Sequence, residues 1–247
     1  MRNLLIAALM FVGAGSFAQA AEFTPDQRQE MESIIKDYLL AHPELLREMS
    51  DLLQNREKLA EEEQRKSGLA RHADQVFRDQ GDFVAGNPKG NVTMVEFFDY
   101  NCGWCKKGLP EVLSLLESDK ELRFVLKEFP IFGEDSDYAA KAAIAAGSQG
   151  KYWELHVAML GYEGKITKPI VDELAAAQGL DMERLAKDME SPGTADLLSR
   201  NRELASALAI NGTPAFVIDD KLVPGDLPKD DLAASISETR EKGCSLC

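Results

Sequence analysis

Cys102-Gly103-Trp104-Cys105 places two thiols three positions apart, between an apolar run and a stretch with helical spacing. Disulfide exchange needs a thiolate to attack and a second thiol near enough to expel the mixed disulfide, and C-x-x-C at a helix start supplies both. Unpaired N–H groups and the dipole at a helix N-terminus favour negative charge. Cys102 is therefore expected to be the nucleophile with a depressed pKa, and Cys105, a turn further in, the resolving thiol. A zinc knuckle would want a second pair about 15 to 20 residues away. The other pair, Cys244-Ser245-Leu246-Cys247, lies about 140 residues on.

Three further positions fit this chemistry. Glu96 shares a strand face with Val92, Met94 and Phe98, so its carboxylate is expected in a core behind Cys105, where a raised pKa suits it to shuttle the proton of the buried thiol. Lys127, on the following strand, is expected either to pair with Glu96 and tune it or to face solvent. Thr213-Pro214 introduces a late strand after a glycine. A cis bond there would leave the backbone of Thr213 able to pair with a substrate strand, although trans is the ordinary form. Gly103, Trp104, Thr213 and Pro214 are thus the expected substrate-contacting residues. The terminal pair follows a helix rather than opening one, so the dipole disfavours a thiolate there. A local disulfide is the plain reading, and capture of Cu(I) by Cys244 and Cys247 the sharper one.

These residues need elements to hold them. Val92 to Phe98 reads as a central strand apolar on both faces, feeding the first motif. A helix to about Glu117 and a strand from Leu122 to Lys127 follow. Residues 136 to about 208, rich in Ala and Leu, read as an all-helical insertion broken near Gly150, Gly164, Gly179 and Gly193. Pro214 to Ile218 and Lys221 to Val223 make a closing hairpin, and Asp230 to Glu241 a last helix. The fold class is therefore α/β, with the catalytic domain over residues 91–247.

Ahead of it, residues 67–90 read as a linker with a short strand near Val76 or Phe83. Residues 21–66 read as two helices, the first capped by a Thr24-x-x-Gln27 box and ended by Pro43. Met31, Ile34, Ile35 and Tyr38 form one apolar stripe, and Leu45, Leu46, Met49, Leu52 and Leu53 another; self-association through them is expected. Residues 1–20, with Arg2, an apolar run from Leu4 to Val12 and Phe17-Ala18-Gln19-Ala20, follow the order of a secretory signal peptide. That predicts an exported chain without a membrane span, in a compartment where disulfides persist.

Together, Glu96-Phe97-Phe98-Asp99-Tyr100-Asn101-Cys102-Gly103-Trp104-Cys105, Lys127-Glu128-Phe129-Pro130 and Gly212-Thr213-Pro214-Ala215-Phe216 resemble the DsbA family of periplasmic thiol oxidoreductases. Asp37-Tyr38-Leu39-Leu40-Ala41-His42-Pro43-Glu44 is similar to the N-terminal region of the ScsC-like branch, named for suppression of copper sensitivity. The resemblance implies a thioredoxin fold, a cis-proline at Pro214 facing Cys102, a buried acid at Glu96 and a homotrimer built through the N-terminal helices. Gly103-Trp104 and Thr213 depart from the Pro-His and Val of the oxidase type. Thr213 resembles the isomerases instead, so a periplasmic protein disulfide isomerase is the first expectation. A DsbA-like dithiol oxidase or a periplasmic copper-binding carrier is the alternative. The expected partners are misoxidised or unfolded secreted proteins and a membrane reductase of the DsbD or ScsB kind. No cofactor is required on this reading, apart from Cu(I) on the cysteine pairs in keeping with copper tolerance.

A formal net charge of −14 argues against nucleic acid as a partner. Neither a Ser-His-Asp constellation nor a Gly-rich phosphate loop is present to support a hydrolase or nucleotide enzyme. His156 beside Trp153 reads as a helix-packing histidine.

Overall fold

The computed structural model describes residues 23–225 and 228–247; the expected signal peptide lies outside them. The chain divides into a unit ending at Glu57 and a larger one from Lys58.

The first unit holds helix α1 (Pro25–Ala41) and the opening turns of α2 (Glu44–Arg71). The capping box forms as expected: Thr24 Oγ1 accepts the Gln27 N–H at 3.3 Å, and Gln27 Oε1 accepts the Thr24 N–H at 3.0 Å. Pro43, which has no N–H to continue a ladder, separates the two helices. No residue of α1 is buried. Ile34, Ile35, Tyr38, Leu46, Met49, Leu52 and Leu53 all stand exposed.

In the larger unit α2 runs past residue 66 to Arg71, because Gly68 and Leu69 are buried and Leu208 packs close to Gly68. Tertiary contact carries the helix through a residue that weakens helices in isolation. Val76 lies in a short helix, α3 (Ala73–Phe77), and the strand of this region is β1 (Phe83–Gly86). Then come β2 (Val92–Phe98), α4 (Gly103–Ser118) and β3 (Leu122–Glu128). Five helices follow: α5 (Glu134–Gly147), α6 (Tyr152–Leu160), α7 (Lys168–Ala177), α8 (Met182–Met189) and α9 (Pro192–Ala207). The chain closes with β4 (Ala215–Ile218), β5 (Lys221–Pro224) and α10 (Lys229–Lys242). This is a thioredoxin fold with an all-helical insertion.

The sheet order is β1-β3-β2-β4-β5, with β2 and β3 parallel and the other pairs antiparallel. All seven residues of β2 are buried, which explains why its sequence does not alternate: a central strand covered on both sides has no solvent face. Met94, Phe98, Phe124 and Phe216 point into one core with α4, α10 and the Ala-rich face of α5. Val95, Phe97, Val125 and Val217 point into a second core with Leu69, Val76, Phe77, Leu204 and Leu208. Phe97 and Phe98 are both fully buried, and each contributes roughly 2–3 kcal/mol from opposite faces of the same strand. The end of β2 is thus clamped from both sides just before the first cysteine.

Candidate active site

The loop from β2 to α4 is fixed by a single carboxylate. Asp99 Oδ1 accepts the Asn101 N–H at 2.6 Å and the Ser136 hydroxyl at 2.8 Å, while Oδ2 accepts the N–H groups of Ile131 at 2.7 Å and Phe132 at 3.2 Å. Asn101 extends the clamp: its side chain donates to the Ile166 carbonyl at 3.0 Å and accepts the Ile166 N–H at 2.8 Å. Lys106, one turn into α4, donates to the carbonyls of Tyr162 and Gly164. The helical insertion is therefore bonded directly to the segment that presents the cysteines.

Cys102 is the N-cap of α4, with its Sγ accepting the Cys105 N–H at 3.3 Å. The same sulfur lies 3.2 Å from the Thr213 carbonyl oxygen, to which its thiol donates when protonated. The Cys105 thiol donating to it pulls the Cys102 pKa down to about 6, with help from the N–H groups of Cys105 and Trp104, against the opposing effect of burial. Cys105 goes the other way: burial first, then Cys102 and the negative charge of Glu96, push its thiol well above the ordinary range. One thiol is thus a ready thiolate at neutral pH and its neighbour holds its proton, the division of labour that exchange and resolution require.

Thr213-Pro214 is a cis peptide. Thr213 Oγ1 is buried and has no hydrogen-bond partner among the described residues. Trp104 stands 57% exposed beside Cys102, with Lys107 over its ring at 4.6 Å. Ile131 and Phe132 are exposed as well, giving the site an apolar rim. A groove of about 560 Å³ runs from Thr213 and Pro214 past Ile210 and Leu222 to Glu61 and Arg65 of α2. Gly103 leaves open space where a Cβ would be.

Lys127 requires a correction. It is fully buried, so it does not face solvent, and its ammonium pairs with Asp82 and donates to the Gln75 carbonyl at 2.5 Å. In register it lies beside Phe97, whereas Glu96 lies beside Leu126. The two side chains therefore leave opposite faces of the sheet, Glu96 toward the cysteines and Lys127 toward the second core, and the expected pair does not form.

Sequence reasoning passed over two groups. Asp99, the hub of the loop, is one. The other is Glu128, buried at the end of β3, whose Oε1 accepts the hydroxyls of Tyr100 at 2.9 Å and Tyr152 at 2.7 Å. Burial pushes Glu128 up to about 8 in spite of both hydroxyls. His156 lies 3.2 Å from the Tyr100 hydroxyl, and burial lowers its pKa to about 3, so it packs as a neutral ring. The available signal for Glu128 was an acid at the end of a strand whose centre, Phe124-Val125-Leu126, is apolar on both faces.

Cys244 and Cys247 form a disulfide with a Cα–Cα distance of 5.6 Å. In that form they offer no thiolate to a metal. The sulfurs sit by Asp219 in the β4–β5 turn and by the start of β2, the end of that strand remote from Cys102.

The DSBA-like thioredoxin domain matches residues 93–237, and the copper resistance protein ScsC N-terminal domain matches residues 27–60. A thioredoxin-like oxidoreductase from Silicibacter pomeroyi DSS-3 is 44% identical, with a TM-score of 0.67 over 68% of this chain and 97% of that one. Proteus mirabilis ScsC in a transitional conformation is 26% identical, with a TM-score of 0.66 over 89% of this chain and 98% of that one. Among curated proteins, the Na(+)/H(+) antiporter NhaA 1 of Salinispora arenicola is 28% identical over 158 residues, 63% of this chain but 24% of the antiporter. The chain spans about a quarter of the length of the curated relatives first matched.

Proposed function

The chain belongs to the DSBA-like thioredoxin domain family, preceded by a ScsC N-terminal domain, and from that premise we propose that this thiol-disulfide oxidoreductase is a periplasmic protein disulfide isomerase working as a homotrimer. The observation that carries the reading is the combination of one stabilised thiolate per chain, Cys102, with an N-terminal arm whose apolar stripes have no buried member in α1. Stripes of that kind are satisfied by a second copy. An assembly with several thiolates suits the shuffling of wrong disulfides better than one-way oxidation does.

The Cys102 thiolate attacks a substrate disulfide; a Cys102–substrate S–S bond forms and the other substrate sulfur leaves as a thiolate. A substrate thiolate then attacks the substrate sulfur of the mixed disulfide, a new substrate bond forms, and Cys102 is released with no net electron transfer. Where this stalls, Cys105 gives its proton to Glu96 and attacks the sulfur of Cys102, freeing a reduced substrate and closing the 102–105 bridge. A membrane reductase of the DsbD or ScsB class returns two electrons and two protons. Thr213 supports the same reading: its carbonyl faces Cys102, where the backbone can pair with a substrate strand. The signal-like start supports the compartment, and among the described residues no helix is long and apolar enough to cross a membrane.

The test is reactivation of scrambled ribonuclease by the reduced chain, beside oxidation of reduced ribonuclease by the oxidised chain. Strong reactivation with weak oxidation is expected. The reverse would make the chain a dithiol oxidase.

A further inference from the structure

The disulfide between Cys244 and Cys247 joins residues three apart, so it cross-links no two elements of the fold. What it does is shape the tail around Asp219. That residue sits at a positive φ of 53° in the β4–β5 turn. Its Oδ1 accepts the N–H groups of Ser245 and Leu246, both at 2.8 Å, and the Ser245 hydroxyl at 2.9 Å. The sulfurs close on the same point: Cys244 Sγ lies 3.5 Å from Asp219 Oδ1, and Cys247 Sγ accepts the Thr93 N–H at 3.3 Å. The carboxylate oxygen and the two sulfurs all lie within 4.8 Å of one another. Four donors thus face three groups that are anionic once the bridge is open.

We infer that Asp219, Cys244 and Cys247 form a redox-gated site for a borderline-soft divalent cation, Zn²⁺ being the best fit. Tetrahedral zinc with Zn–S of about 2.3 Å and Zn–O of about 2.1 Å sets sulfur and oxygen about 3.6 Å apart, close to the separation of Cys244 and Asp219 here. C-x-x-C is the usual zinc spacing, and a water completes the set. A carboxylate in the third place speaks against Cu(I), which selects soft ligands. Loading needs a dithiol, which gives two electrons and two protons to the bridge and itself closes to a disulfide. The cation then takes two thiolates and the carboxylate, and the two thiol protons pass to solvent. The cation would add coordinate bonds between the tail and the β4–β5 turn to the hydrogen bonds that already join them.

The test uses the full chain carrying Cys102→Ser and Cys105→Ser, which removes the other thiol pair. Reduced with a phosphine and freed of it under anaerobic conditions, the protein is titrated with Co²⁺. One equivalent per chain with sulfur-to-cobalt charge transfer is expected, displaced by Zn²⁺ and absent from the oxidised chain. Asp219→Asn, a residue that tolerates positive φ, should weaken binding at least about tenfold. Independently, Zn²⁺ should slow tryptic cleavage after Lys242 in the reduced chain and leave the oxidised chain unaffected. Absence of the charge-transfer band, indifference to Asp219→Asn, cleavage unchanged by Zn²⁺, or binding of Cu(I) alone would each overturn the site.

Discussion

Glu96 and Lys127 stand one register step apart on adjacent parallel strands and project from opposite faces of the sheet, Glu96 beside the cysteines and Lys127 onto Asp82. The lysine therefore belongs to stability rather than to thiol chemistry. Lys127→Met leaves Asp82 buried without its counter-charge and is expected to cost about 3–5 kcal/mol in denaturant unfolding. The rate at which Cys102 is alkylated in the folded variant should stay within twofold of the parent; a large loss of thiol reactivity would return Lys127 to the site.

Glu96→Gln separates attack from resolution. Cys102 should be alkylated at close to its normal rate, because its thiolate is held by Cys105 and the helix end. Release of a substrate trapped on Cys102 should slow by tenfold or more at neutral pH, since Cys105 loses its proton acceptor. Stopped-flow decay of the mixed disulfide reads this directly, and an unchanged decay would remove Glu96 from the mechanism.

Cys102 also makes stability depend on pH in the reduced protein. Its pKa falls from 9.0 to about 6 on folding, so the stabilisation is fully present above pH 9 and is lost as pH falls through 6. The stability difference between the reduced parent and Cys102→Ser should therefore grow between pH 6 and 9 and level off above. A difference flat across that window would mean that the thiolate is not held.

Glu128 has the opposite sign. Its pKa rises from 4.5 to about 8 on folding, so it costs stability progressively between pH 4.5 and 8 as the unfolded chain gives up its proton first. Glu128→Gln keeps an acceptor for Tyr100 and Tyr152 and removes the charge. It should raise the thermal midpoint at pH 8 and leave it nearly unchanged at pH 4. Equal midpoints at pH 8 would show that water reaches the carboxylate.

Removal of residues 22–57, the arm up to the start of the larger unit, should give a monomer by light scattering. It should still reduce insulin and should lose scrambled-ribonuclease reactivation by about tenfold. An oligomer of undiminished size would place self-association elsewhere.

Several elements were legible because their signals are local. Pro43 stops one helix, Thr24 and Gln27 cap it, and the apolar run of β2 leads into Cys102-Gly103-Trp104-Cys105. The approach of Thr213 to Cys102 was legible through resemblance, not periodicity, since 111 residues separate the two. Lys127 was misplaced because a lysine on a strand gives no sign of which face it takes until the register with β2 is known. Asp99 was overlooked for a related reason: its partners, at positions 131, 132 and 136, are brought to it by the crossover from β3 to α5, which no short window of sequence contains.

Both outer strands of the sheet, β1 and β5, are four residues long, and β5 ends at Pro224, whose nitrogen has no hydrogen to donate. Short edges, one of them ended by a proline, are poor templates for a further strand. Edges of that kind shield the sheet from pairing with another chain and so from seeding aggregation. Another polypeptide would find little to zip onto at these margins, and the Cys102 thiolate is where a bond to it could be made and broken again.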